Sequence, residues 1–255
     1  MSDKIFGIHA VLEALEARKR SVTRVLVAAS RGDGRVRRVL EAAHQAGVPV
    51  LRQPAEALHR LAEGKAHQGV VALVSAAPYA DPEHLLKTSD ASTLFVVLDG
   101  VEDPRNLGAV VRASAAAGAQ GLFLPERGAA GLTAVAVKAS AGATERLAVA
   151  RVGNVVSLLK ALREKNIWVV GFDSSAEAPW TSFDLTCPVA LVFGGEGKGL
   201  RRLARETCDV VLSIPMAGGV ESLNLSVAAG IVLFEAVRQR RLAAAKGSGG
   251  SSRGA

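Results

Sequence analysis

Cysteine is almost missing from this chain of 255 residues, which has only Cys187 and Cys208. With no pairing pattern, no metal-ligand spacing and no histidine beside them, they argue against a disulfide framework and a zinc site. No run approaches the roughly 18 consecutive apolar residues of a membrane span. The start, Met1-Ser2-Asp3-Lys4-Ile5, lacks a basic segment followed by an apolar run, so no signal peptide is expected and the chain reads as cytoplasmic. The G-x-S-x-G of a serine hydrolase is absent, as is the dinucleotide fingerprint G-x-G-x-x-G. Residues 194–199 look like a nucleotide loop but fail the P-loop pattern. Gly199 stands where Ser or Thr should follow Gly-Lys, and Val192 stands where a glycine belongs. All five histidines (His9, His44, His59, His67, His84) lie in the first third of the chain. Among them His67, in Lys65-Ala66-His67-Gln68-Gly69, is the one with a local context worth following.

The composition is that of a globular protein, 49% hydrophobic and 22% charged, with length for one large domain or two modest ones. Net charge is +7, unevenly spread. Residues 1–78 hold 12 Lys/Arg against 7 Asp/Glu, residues 79–237 hold 14 against 17, and residues 238–255 hold five against none. Positive ends around a mildly acidic middle suggest a polyanionic partner, and nucleic acid is the commonest.

Helix and strand signals alternate through the first 75 residues. Helices are expected at 7–17, from a cap at Asp33 to Gly47, and at 55–61; strands at 22–29, 48–51 and 70–75. This describes a compact α/β unit at 1–76. Residues 77–92 read as a linker carrying a short helix at 82–87. A second rhythm begins at Thr93. Runs at 94–98, 167–172, 189–193 and 210–214 lack polar alternation, as strands of a parallel sheet covered on both faces do. Shorter strands are expected at 121–124 and 147–150. Helices are expected at 107–117, 155–165, 200–206 and 223–244. The second domain, 93–245, is therefore a doubly wound α/β unit. Residues 246–255 read as a disordered basic tail.

Ligands of open parallel sheets bind beyond the carboxyl ends of the strands. Three ends here carry unusual sequence. The first is Asp99-Gly100-Val101-Glu102-Asp103-Pro104-Arg105-Asn106-Leu107-Gly108, followed by Arg112. The second is Gly194-Gly195-Glu196-Gly197-Lys198-Gly199, and the third is Pro215-Met216 through Gly218-Gly219 to Ser222-Leu223-Asn224. Their polar residues, Asn106, Arg112, Glu196, Ser222 and Asn224, offer hydrogen bonds, one cation and one carboxylate. That set suits positioning a hydroxyl and a phosphate, not forming a covalent intermediate.

These three segments, in this order and spacing, resemble the signature motifs of the SpoU/TrmH family of RNA ribose 2′-O-methyltransferases, over about residues 94–241. The opening Phe6-Gly7-Ile8-His9-Ala10-Val11 and the stretch His67-Gln68-Gly69-Val70-Val71-Ala72 resemble the family's L30e-like substrate-binding domain. The layout is most similar to the 23S rRNA guanosine-2′-O-methyltransferases. The resemblance implies an S-adenosylmethionine donor, no metal, a trefoil knot in the C-terminal part, a homodimer and an RNA substrate. It implies a donor site lined by Phe172, Gly195, Glu196, Ile214, Met216, Leu223 and Leu225. It assigns functional roles to Asn106, Arg112, Glu196, Ser222 and Asn224, with Arg112 taking the proton of the target hydroxyl; because arginine is a poor base, a second role is that its cation clamps the developing alkoxide or the adjacent phosphate. Other readings are a tRNA enzyme, an enzyme for another rRNA nucleotide of the thiostrepton-resistance type, and a non-catalytic RNA-binding protein.

Overall fold

The computed structural model describes residues 3–17, 21–62, 64, 66–75 and 78–248. The N-terminal unit runs β1 (Asp3–Phe6), α1 (Ile8–Ala17), β2 (Val22–Ala28), α2 (Gly34–Gln45), β3 (Val50–Gln53), α3 (Ala55–Leu61) and β4 (Val70–Val74). Its sheet has the order β1-β4-β2-β3, antiparallel except for the β2–β3 pair. Asp33 caps α2 as expected, its carboxylate accepting from the backbone N–H groups of Arg35 and Val36. That helix buries Val36, Val39 and Ala43. The sequence did not announce β1, because four residues are too few to show a period; its pairing with β4 defines it.

The second unit comprises α4 (Pro82–Lys87), β5 (Leu94–Asp99), α5 (Pro104–Ala116), β6 (Gly121–Pro125), α6 (Ala134–Ala139), β7 (Ala148–Val152), α7 (Val155–Glu164), β8 (Trp168–Phe172), β9 (Val189–Gly194), α8 (Arg202–Thr207), β10 (Val210–Leu212) and α9 (Leu225–Ser248). Its six strands are all parallel, in the order β10-β8-β9-β5-β6-β7. Every residue of the central strands β5 and β9 is buried, which is why their sequences lack alternation.

Four expectations need correction. First, α5 begins three residues before the expected Leu107. Asp103 accepts from the Arg105 N–H at 2.8 Å and Pro104 occupies the first turn, so Asn106 sits on the helix and not in a loop. Second, α6 was not foreseen, since six mostly alanine and valine residues carry no helical period. Third, residues 78–92 are no free linker. Ala80 bridges to Ala150 beside the edge strand β7, Tyr79 Oη accepts from the Leu132 N–H at 2.8 Å, and Leu85 is buried in the core with Phe95. Fourth, α9 runs through Lys246 to Ser248, beyond the expected start of the tail; residues 249–255 lie outside the described residues.

Two of the five basic residues in 238–255 are also committed to the fold. Arg238 pairs with Glu235 at 2.6 Å. Arg240 donates to the carbonyls of Leu185, Ser92, Thr93 and Cys187, tying α9 to the base of the sheet. The two units share one continuous apolar core. Between them Arg146 forms a bidentate pair with Glu13 at 2.6 and 2.7 Å, and the Lys138 ammonium lies 5.6 Å over the Phe6 ring. Among the described residues no helix is long and apolar enough to cross a membrane.

Gly108, within the first motif, serves packing. A Cβ there would stand 2.3 Å from the Ala136 carbonyl oxygen, so its absence lets α5 and α6 touch.

Candidate active site

The carboxyl ends of β8 and β9 and the segment between β10 and α9 enclose a cavity of about 510 Å³. That volume lies within the roughly 300–1,000 Å³ of small-molecule sites. Its apolar wall includes Phe172 and Phe193, stacked at 5.0 Å, with Ile214, Leu223 and Leu225. Gly195, Glu196 and Met216 also line it, so all seven residues expected around a donor border this one space. Gly195 is small by necessity. A Cβ there would lie 2.5 Å from the Gly100 carbonyl oxygen, so the second motif is pressed against the first.

The expected polar residues divide into three groups. Glu196, Ser222 and Asn224 line the cavity. Asn106 stands behind it as the hub of a relay. Its Nδ2 donates to Glu196 Oε1 at 2.8 Å, and its Oδ1 accepts from Asn224 Nδ2 at 3.0 Å. The second Glu196 oxygen accepts from the Glu102 N–H at 3.0 Å, and Asn224 Oδ1 accepts from the Ser226 N–H and hydroxyl. One polar chain therefore joins all three motifs. Arg112 is different: it is exposed on α5, six residues or about 9 Å of helix beyond Asn106, and does not line the cavity.

Burial works against the charge on Glu196, but the hydrogen bonds from Asn106 and from the backbone around Glu102 and Asp103 outweigh it and hold its carboxyl below the usual range. A depressed carboxylate contributes stability that is full above its unfolded pKa and lost as pH falls through the folded one. Glu196→Gln should therefore be less stable than the parent at neutral pH. The gap should close as pH drops below the ordinary glutamate value of about 4.3. Urea unfolding of both proteins between pH 7 and 3.5 measures this, and a gap that widens in acid would refute it.

The resemblance implied a donor contact from the loop after Phe172 without naming its residues; the structure puts Asp173 and Ser174 of that loop on the cavity wall, together with Phe193 and Glu221, which sequence reasoning did not single out. Asp173 was findable, as the first polar residue after the apolar run of β8. It pairs with Arg205 at 3.1 Å, accepts from the Ser175 N–H and hydroxyl, and faces the Leu200 N–H. Burial opposes its charge, yet Ser175, Arg205 and the Leu200 N–H together hold its carboxyl low. The thiols offer no nucleophile: burial pushes Cys208 up to about 12 and raises Cys187 as well. Among the described residues no three His, Cys, Asp or Glu side chains gather as a metal site. His67 belongs to the N-terminal unit, where its Nδ1 accepts from the Gly69 N–H at 3.1 Å and its ring lies 6.1 Å from that of His59. Burial, His59 and Arg31 lower its pKa.

An α/β protein with a glycine-lined cavity beyond a parallel sheet, a relay of amides and one carboxylate, and no thiol on the cavity wall is built to hold and align its ligands. Comparison with known proteins says which class this is. Residues 93–234 match the SpoU rRNA methylase family, and residues 4–80 match the RNA 2′-O ribose methyltransferase substrate-binding domain. The chain belongs to the SpoU methyltransferase family. It is 43% identical to the 23S rRNA (guanosine-2′-O-)-methyltransferase RlmB of Ralstonia nicotianae, over 96% of this chain and 99% of that one. It is 44% identical to RlmB of Xylella fastidiosa, over 93% and 97%. Among solved structures, the SpoU methyltransferase AviRb from Streptomyces viridochromogenes in complex with AdoMet superposes with a TM-score of 0.79, at 27% identity over 94% of this chain and 91% of that one.

Proposed function

We propose that this chain transfers a methyl group from S-adenosylmethionine to a ribose 2′-hydroxyl of structured RNA, with a guanosine of 23S rRNA as the target. The observation that carries the reading is that the second and third motif segments line one cavity and the first is bound to both from behind, through the Asn106–Glu196 and Asn106–Asn224 contacts. The names of the Ralstonia and Xylella relatives support the target. An enzyme of the Aquifex tRNA type is the second reading. That TrmH/SpoU tRNA-modifying enzyme from A. aeolicus matches only 64% of this chain, whereas the RlmB relatives match the N-terminal unit as well.

The residues present fit the donor: Phe172, Gly195, Ile214, Met216, Leu223 and Leu225 give it an apolar wall and backbone polar groups. When bound, it supplies a methyl group already activated by its sulfonium. The protein's own task is alignment, which contributes roughly 7–11 kcal/mol in favourable cases. Glu196 holds the first two motifs in register, and Asn106 passes that constraint to Asn224. In this reading Ser222 and Asn224 fix the third motif loop and the ribose through hydrogen bonds. Arg112 stabilises the developing alkoxide or the adjacent phosphate through its guanidinium fork.

The test is ribose-methylation mapping by mass spectrometry, in rRNA from a deletion strain and after incubation of that rRNA with the protein and labelled donor. One guanosine of 23S rRNA should lose and regain its methyl group. Methylation found only in tRNA would overturn the target.

A homodimer is part of the same proposal. Val227, Ile231, Phe234 and Leu242 form a stripe along α9; Val227, Phe234 and Leu242 are about half exposed, as expected of a face covered by a second copy. Phe234→Glu should shift the protein from dimer to monomer in analytical ultracentrifugation, and an unchanged dimer would move the interface elsewhere. The trefoil knot and a cytoplasmic site of action, beside the ribosomal substrate, follow from family membership and belong to the proposal.

A further inference from the structure

Arg201 lies outside the three motif roles, one residue beyond the second glycine loop and the buried Leu200. Its surroundings are unusual. Asp99 ends β5 with its side chain only 1% exposed, whereas the Arg201 side chain is 58% exposed. The Asp99 carboxylate accepts from the Arg201 backbone N–H at 3.1 Å and faces Arg201 Nη1 at 3.4 Å. The backbone bond alone fastens the loop to the strand end, so the guanidinium is not needed for that purpose. Its other end, Nη2, stands over two bare stretches of backbone. A Cβ on Gly100 would lie 3.5 Å from it and one on Gly128 would lie 3.2 Å from it. Both glycines have positive φ, 110° and 71°. Loops from β5 and β6 thus leave an unobstructed berth for one planar cation.

We infer that Arg201, aimed by the buried Asp99 and berthed between Gly100 and Gly128, binds a phosphodiester of the RNA beside the target ribose. The inference rests on the RNA methyltransferase reading above and adds a binding residue to it. A guanidinium fixed on one edge presents its remaining N–H groups in the fork geometry that suits two phosphate oxygens. The donor is not the ligand: Arg201 is absent from the cavity wall and separated from it by the Gly100–Gly195 contact. The position is apt for substrate, because Gly100 abuts Gly195 and the next residues, Glu102 and Asn106, hold Glu196.

Arg201→Ala and Arg201→Lys in the full chain test this against the parent. RNA binding is followed by filter retention across a salt series, and donor binding by calorimetry. Arg201→Ala should weaken RNA binding about tenfold or more, the size of one charged hydrogen-bonded contact. It should also reduce the slope of log affinity against log salt by about 0.7–0.9, one phosphate's worth. Arg201→Lys should restore most of the slope but only part of the affinity, since it keeps the charge and loses the fork. Donor affinity should stay within twofold in both. Unchanged RNA affinity and slope would overturn the inference, as would a loss of donor affinity equal to the loss of RNA affinity. Binding is read separately from methyl transfer. If the parent bound RNA and donor without methylating, the functional reading would fall while the Arg201 comparison still decided its own question.

Discussion

Replacing Arg112 with alanine should lower methyl transfer by the order of 10²-fold or more, the usual loss when a positioned charge that stabilises a developing oxyanion is removed. Arg112→Lys should lose a comparable amount if the guanidinium acts as a planar clamp on phosphate and alkoxide. If it acted as a base, lysine would restore part of the rate, and that rate would rise with pH through a new ionisation. The clamp outcome is expected, because a guanidinium offers phosphate and alkoxide oxygens a planar fork of donors. Donor affinity should be nearly unchanged in both variants, since Arg112 does not line the cavity. Full activity in Arg112→Ala would remove the residue from the mechanism.

Deleting residues 1–77 should abolish productive RNA binding while leaving donor binding in place. The cut belongs before Pro78, not at Ser92. Tyr79 holds the Leu132 N–H, Ala80 bridges to Ala150, and Leu85 fills the core beside Phe95, so a fragment starting at Ser92 would open the β7 edge. The deleted part carries all 12 Lys/Arg of residues 1–78, against 7 Asp/Glu. The C-terminal segment has only five basic residues to set against them, and two are engaged, Arg238 with Glu235 and Arg240 with four carbonyls. RNA affinity should fall by at least about a hundredfold, with a flatter salt dependence, as several phosphate contacts are lost together. Calorimetry with S-adenosylmethionine supplies the control. A folded fragment without donor binding would mean that the N-terminal unit shapes the cavity as well as the substrate surface.

The parallel sheet was legible because its central strands are buried on both faces: residues 94–98 and 189–193 could only be apolar throughout. The capped helix from Asp33 was legible for an equally local reason, a carboxylate followed at once by donors it satisfies. The cavity residues were legible through their spacing at strand ends and the resemblance those segments bear to known motifs. Elements without a local signal escaped: β1 exists through its partner β4, and α6 through the contact that Gly108 permits.

What the sequence determined by itself was most of the strands, the three glycine-bearing ends and the polar residues they carry: amides, one carboxylate and one arginine. Only the tertiary structure decided which of these meet. It joined Asn106 to Glu196 and Asn224 across 90 and 118 residues of chain, left Arg112 outside the cavity, and set Arg201 on Asp99. The physical reason is that periodicity, caps and turns are fixed by neighbours within a few residues. A hydrogen bond between distant strand ends depends on the order in which the strands are laid side by side, and no local pattern records that order.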